Sequence, residues 1–228
     1  AQYGTPKCEF IAQLARVDES DIGGPCLWIG AHPAIGEQIA HELLTHGLLW
    51  PHLPDAEVLE REVRNPAGCD MRADFLLTPA GFSEAARRVV VEVKTVVDSD
   101  YPVEAAPKRD HPIFVSHEKP YRRAGIFPWG RGKQKGPDGE TVVSARAIKH
   151  IAELASLAVG ERLGADGERF DAALVFVVVR HDALCFRPNL EACPSFTEHL
   201  CRARGAGVQI LAPRVRWGEA GAEVGKCW

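Results

Sequence analysis

Two spacings of apolar residues alternate along the chain, and their order sets the expected architecture. Residues 35–47 (IGEQIAHELLTHG) place Ile35, Ile39, Leu43 and Leu44 on one face, as an amphipathic helix does, with Gly47 as its stop. Three strands are expected next: 57–64 (EVLEREVR), which alternates weakly, 71–77 (MRADFLL), which is more apolar, and 88–97 (RVVVEVKTVV), which is β-branched almost throughout. On this last strand Val89, Val91, Val93 and Thr95 share one face, and Val90, Glu92, Lys94 and Val96 share the other. A second helix is expected from Ser144 to about Val159, with Ile148, Ile151, Ala152, Ala155, Leu157 and Ala158 as its apolar face. Residues 172–179 (AALVFVVV) form the continuous apolar run of a strand buried on both faces. A helix over about 195–204 and a strand over 207–212 complete the pattern.

Upstream, residues 8–17 and 26–30 read as two short strands around the polar turn DESDIGG. Residues 99–141 are rich in Pro, Gly and charge and show little periodicity, as in an insertion or functional loop. The expected organisation is the end of a small β module over 1–30, one α/β domain over 31–217 carrying the 99–141 insertion, and a C-terminal tail over 218–228.

Composition narrows the class. The chain has 228 residues, 46% hydrophobic, and a net charge of −4. That balance suits one good core and lacks the basic excess of a protein that coats nucleic acid, so any such contact must come from a local patch. No apolar run approaches the roughly 20 residues of a membrane span. Seven cysteines, an odd number without CxxC spacing, argue against a disulfide framework or zinc knuckle. Reduced, mostly buried thiols and a cytoplasmic location are expected. The only Met is Met71, so the chain reads as a possible fragment, which leaves organelle targeting open.

The chemistry centres on the third strand. Burying Glu92 and Lys94 among valines is expensive unless they are paired or bind something. Asp74 lies in the preceding strand, and antiparallel pairing would bring it close to Glu92. A divalent cation relieves the repulsion of two such carboxylates. In that arrangement Asp74, Glu92 and the Val93 carbonyl hold Mg²⁺ or Mn²⁺, and Lys94 orients water or stabilises charge on a phosphate. The alternative is a buried Glu92–Lys94 pair that only ties strands together. Glu62, or Glu37 or Glu42 on the first helix, could add a carboxylate; each is otherwise a solvated charge. Arg72 shares the strand face of Asp74 and could pair with a carboxylate or contact phosphate.

Arg146, Lys149 and His150 lie on one side of the second helix, where the first two could bind phosphate. His150 alone reads more simply as a structural histidine. Within 119–135, Lys119, Arg122, Arg123, Arg131, Lys133 and Lys135 alternate with Tyr121, Phe127 and Trp129. Basic groups can neutralise phosphates while aromatics stack on bases, which makes this the best nucleic-acid-binding segment. The competing reading packs the aromatics on the domain and solvates the charges.

The order helix, three strands, helix, strand resembles the αβββαβ core of the PD-(D/E)xK nuclease superfamily. More specifically, REVRNPAGCDMRADFLL (61–77), VVVEVKTV (89–96), SARAIKHIAEL (144–154), AALVFVVVRHDALCFRPN (172–189) and AGVQILA (206–212) together resemble the sugar fermentation stimulation protein A family. The resemblance implies an N-terminal OB-like barrel module, here only its closing strands. It also implies a nuclease-like domain, DNA binding and a role in regulating sugar metabolism. Asp74, Glu92, Lys94, Arg72, Lys149 and His150 fall on the family's motif positions. Ile35-Gly36 stands where the family usually has Asn-Arg, and Ala145 where it usually has an acidic residue. The sequence therefore supports a DNA-binding protein (RNA also being open) with a Mg²⁺-dependent phosphodiester-cleaving site. Its alternatives are a non-catalytic DNA-binding regulator on the same fold and a binder of a phosphorylated metabolite. The oligomeric state is left open.

Overall fold

The computed structural model describes residues 10–20, 26–81, 86–106, 108, 113–218 and the backbone of 221–226. Strands β1 (Leu14–Asp18) and β2 (Cys26–Gly30) form an antiparallel pair, followed by α1 (Ile35–Thr45). Strands β3 (Ala56–Arg64), β4 (Arg72–Pro79) and β5 (Arg88–Val96) come next. The expected insertion is not one structureless loop. It carries short strands β6 (Tyr101–Pro102), β7 (Val115–Ser116), β8 (Ala124–Phe127), β9 (Gln134–Lys135) and β10 (Thr141–Val142). Then follow α2 (Ala145–Val159), β11 (Phe170–Val178), β12 (Cys185–Pro188), α3 (Pro194–Gly205), β13 (Gln209–Leu211), β14 (Pro213–Gly218) and β15 (Gly221–Lys226). The stretch expected as a tail thus contains an edge strand, antiparallel to β14. Residues 8 and 9 of the first expected strand, and Cys8 and Cys227, lie outside the described residues.

The main sheet runs β15-β14-β11-β5-β4-β3, with β13 also beside β11. Strands β11 and β5 are parallel from Phe170↔Arg88 to Val178↔Val96, whereas β4 pairs antiparallel with both β3 and β5. This mixed sheet gives the α1-β3-β4-β5-α2-β11 order expected from the apolar spacing. Strand β11 sits centrally, and every residue from Ala172 to Val179 is buried, which explains its unbroken apolar run.

The two faces of β5 divide as their alternation requires. Val89, Val91 and Val93 pack with Ile35, Ala40 and Leu44 of α1. Val90 and Val96 pack with α2 and α3 through Ile148, Ile151, Leu154, Phe196 and Leu200. Leu154, not the exposed Ala152, completes the buried stripe of α2. This helix begins where the Ser144 hydroxyl accepts from Ala147 N–H and ends at Gly160, in the left-handed conformation at φ 80°. Of the five described cysteines only Cys69 and Cys193 are buried, fewer than expected.

A close approach fixes the start of α1. A Cβ on Gly36 would lie 2.3 Å from Thr95 Oγ1, and the Thr95 hydroxyl donates to the Pro33 carbonyl at 2.7 Å. The helix therefore rests directly on β5, beside Lys94. This packing accounts for a glycine in the Ile35-Gly36 pair.

Candidate functional site

The hydrogen-bond ladder between β4 and β5 runs from Leu77↔Val89 to Phe75↔Val91 and stops there. Asp74 occupies the next position, and its Oδ2 accepts the Val93 backbone N–H at 2.6 Å. A carboxylate thus replaces the carbonyl that a continued strand would offer. Across β4 the ladder to β3 also skips this point, pairing Arg61↔Phe75 and Val63↔Ala73. The intervening Glu62 has φ 55°, a left-handed conformation unusual inside a strand. Asp74 therefore sits where the sheet opens on both sides.

Glu92 is 2% exposed and points towards α2. Its Oε1 receives His150 Nδ1 at 2.7 Å and also the Lys94 ammonium. Arg146 Nε donates to His150 Nε2 at 3.4 Å, which makes Nδ1 the protonated nitrogen facing Glu92. Lys94 Nζ also reaches the Val93 carbonyl at 3.2 Å. The second carboxylate oxygen, Glu92 Oε2, is buried without a hydrogen-bond partner. A buried acceptor left unmatched costs free energy unless a ligand completes it.

The two carboxyls are driven apart. Burial, then the Glu92 charge, pushes Asp74 up to about 6. Burial also pulls Glu92 upward, but its bond from His150 and the charge of Lys94 outweigh that and leave it lowered. Glu92 is thus the settled anion and Asp74 the reluctant one, the pattern of two carboxylates awaiting a positive partner.

Glu37, on α1, is the remaining carboxylate whose charge reaches Asp74, and Arg61 holds it at 2.9 Å. Glu62 is not in this cluster. It turns outward to an exposed ion pair with Arg72 at 2.6 Å. Glu42 meets His41 and His46 on the exposed side of α1. Lys149 is exposed and bonded to Asp70, and Arg146 is exposed beside His150. Among the described residues no group of three or more His, Cys, Asp or Glu side chains is placed to hold a metal. The candidate donors are therefore Asp74, Glu92 and one backbone carbonyl, that of Val93. They fit a hard, oxygen-preferring cation on one observation, the unmatched Glu92 Oε2.

The basic segment divides sharply. Arg122, Arg131, Lys133 and Lys135 are exposed. Arg123 is not: it is 8% exposed and bound to Glu19 and Asp182. Phe127 also turns inward, against Phe176 and Phe196, and the Tyr121 hydroxyl donates to Asp100. Of the three aromatics, Trp129 keeps the most open surface.

The Arg123 cluster was missed as a unit. Arg180 Nε and Nη2 donate to Asp182 at 2.7 and 2.8 Å, and Glu19 bridges both arginines. Arg180-x-Asp182 directly after the unbroken apolar run 172–179 was a visible signal, since charges there lie at the carboxyl end of a central strand. Glu19, far upstream, gave none.

Fold and site together define the class: a mixed α/β protein with a nuclease-like αβββαβ core and acidic groups at an opening in its sheet. The family described as the sugar fermentation stimulation protein RE domain is matched over residues 137–221. The chain is 25% identical to the sugar fermentation stimulation protein homologue of Parasynechococcus marenigrum (strain WH8102), over 92% of this chain and 66% of that protein. It is also 25% identical to the homologue of Synechococcus sp. (strain CC9311), over 90% of this chain and 64% of the relative. It therefore spans just under two thirds of their length. The solved structure of Pyrococcus furiosus SfsA in complex with Ca²⁺ matches in fold, with a TM-score of 0.51, 21% identity, and coverage of 93% of this chain and 73% of that one. The chain thus resembles the sugar fermentation stimulation proteins in sequence and in fold. Among its described residues, no helix is long and apolar enough to cross a membrane.

Proposed function

We propose that this chain binds DNA and cleaves its phosphodiester bonds with a divalent cation, Mg²⁺ or Mn²⁺. The observation that supports this best is the buried Glu92, with one oxygen unmatched, beside an Asp74 held up at about 6. Asp74, Glu92 and the Val93 carbonyl would hold the ion, and the Pyrococcus furiosus relative was solved with another hard divalent cation. The bound cation supplies charge neutralisation and polarises a phosphoryl oxygen. His150 fixes the Glu92 carboxylate through Oε1. Lys94, held by Glu92 and the Val93 carbonyl, offers its ammonium to negative charge developing on the phosphate. Arg146 and Lys149 on α2, Arg72 on β4, and Arg122, Arg131, Lys133 and Lys135 supply exposed positive charge along the strand's path. RNA would meet the same backbone contacts.

A non-catalytic DNA-binding regulator is the second reading. It is favoured by the short donor set and by Ala145 at the start of α2. Two measurements separate them. Mg²⁺ or Mn²⁺ should raise the melting temperature of wild type but not of Asp74→Asn. Purified protein with Mn²⁺ should cut single- or double-stranded oligonucleotides, and Glu92→Gln should remove the cutting. Metal-independent melting together with intact oligonucleotides would leave the regulator.

A further inference from the structure

At the carboxyl ends of the parallel strands β5 and β11 lies a cavity of about 230 Å³. Crevices outside the carboxyl ends of parallel strands are favoured ligand positions in α/β sheets. Its polar lining is Glu19, Asp98, Ser99 and Arg180, and its aromatic lining includes Tyr101 and Trp129.

These polar groups differ in how far they are used up. Glu19 and Arg180 are saturated by each other, by Arg123 and by Asp182. Ser99 is 6% exposed and its hydroxyl has no hydrogen-bond partner. Burial lifts the Asp98 carboxyl to about 6, opposed by the charge of Arg180. A buried hydroxyl and a half-buried carboxyl outside the closed network are what a polar ligand edge would complete. Trp129, 48% exposed, adds a flat apolar surface of the kind on which bases stack. The volume is below the roughly 300–1,000 Å³ of pockets for drug-sized ligands, so the occupant is a single small ring system.

We propose that this cavity receives one unstacked guanine base of a nucleic-acid strand lying across the Asp74–Glu92 site. The proposal rests on the nucleic-acid reading above and adds base selectivity to it. A carboxylate only accepts hydrogen bonds. Guanine alone presents two adjacent N–H donors on its Watson–Crick edge, whereas the other bases set an acceptor beside each donor and would repel one carboxylate oxygen. Ser99 supplies the hydroxyl donor for the neighbouring guanine oxygen. Asp98 is four residues beyond Lys94, roughly 13 Å at strand rise. The base read would therefore lie a few nucleotides from the phosphate at Lys94.

The test uses the whole chain in EDTA, titrated with the 5′-monophosphates of guanosine, adenosine, cytidine and uridine and with ribose 5-phosphate, followed by calorimetry. Guanosine monophosphate should bind at least about 10-fold tighter than the others, the discrimination of one good bidentate contact. Asp98→Asn and Ser99→Ala should erase most of that preference, and Glu92→Gln should keep it. Equal affinities, ribose 5-phosphate binding as tightly as the guanosine nucleotide, or a preference that survives Asp98→Asn would overturn the proposal. Should Asp98→Asn fail to fold, the wild-type ranking of the five ligands decides. Guanine preference without any cutting would remove the catalytic reading and keep the pocket. Cutting without base preference would do the reverse.

Discussion

Two groups of buried charge flank the core of this protein, and they are built on opposite plans. In the Glu19–Arg123–Arg180–Asp182 cluster, two carboxylates face two guanidiniums with fork-shaped contacts. The balance leaves the Asp182 carboxyl lowered in spite of its burial, and the Arg123 guanidinium raised. In the Asp74–Glu92–Lys94 cluster one ammonium serves Glu92, while Asp74 keeps only a backbone N–H and the distant Lys94 charge against burial and Glu92. The first cluster is closed and joins the β1–β2 pair to the end of β11. The second is left one positive charge short. Burial of charge by itself therefore distinguishes nothing; whether the donors and acceptors balance does.

The largest expected effect tests the closed cluster. Arg180→Ala would leave Glu19 and Asp182 to share the single guanidinium of Arg123 in the interior, and breaking such a network costs about 3–5 kcal/mol. For a chain of this size that lowers the melting temperature by roughly 10 °C. Glu92→Gln, which removes a charge from the unbalanced cluster, should by contrast cost far less in EDTA. If the two variants melt together, the contrast between the clusters is wrong.

Asp74→Asn should move stability the other way, and only at neutral pH. The folded carboxyl titrates at about 6 against an ordinary value of 3.8. Below pH 3.8 both folded and unfolded chains are protonated and Asp74 imposes no penalty. As pH rises through 6 the folded state must take up an unwelcome charge, and the stability contribution is lost. The asparagine variant, in EDTA, should therefore exceed wild type by on the order of 2–3 kcal/mol at pH 7.5 and match it near pH 4. Added Mn²⁺ should narrow the gap by stabilising wild type alone. A variant less stable than wild type at pH 7.5 would show that Asp74 is held by its Val93 contact rather than stressed by Glu92.

Next in size is Gly36→Ala. Its Cβ would need the space of Thr95 Oγ1, so α1 or β5 must shift, at about 1–3 kcal/mol. Thr95→Ala in the same chain should recover part of that loss. No recovery would mean that the contact with the Thr95 backbone, at 3.2 Å from the added Cβ, dominates.

How much of this could be read beforehand follows from the range of the interactions. The valine alternation of β5 placed Glu92 and Lys94 on the α2 side because side-chain direction in a strand is local. The unbroken apolar run of β11 likewise announced a central strand. Glu62, open between an added carboxylate and a solvated charge, is the solvated charge for a backbone reason: a left-handed residue inside β3 turns its side chain towards Arg72, and composition does not signal that. Glu37 replaced it near Asp74 because Gly36 lets α1 sit on Thr95. That contact links residues almost 60 positions apart. Arg123 and Phe127 looked like their exposed neighbours because local polarity is similar along 119–135, whereas their burial depends on Glu19, Asp182, Phe176 and Phe196.

That last misreading supplies the smallest effect, and the one that sharpens the comparison most. Lys133 and Lys135 are exposed on and beside β9, while Arg123, in the same basic segment, belongs to the closed cluster. Substituting both lysines with serine should change stability by less than about 0.5 kcal/mol, as surface substitutions usually do. If they contact phosphates, the dependence of log affinity for duplex DNA on log salt should become shallower by roughly 2, since each neutralised phosphate contributes about 0.9. Arg123→Ser should give the opposite pattern. It should unfold the chain at lower urea, yet leave the salt dependence unchanged wherever the variant remains folded. An unchanged salt slope in the double lysine variant would remove this segment from the DNA path. A shallower slope for folded Arg123→Ser would show that the closed cluster opens to bind.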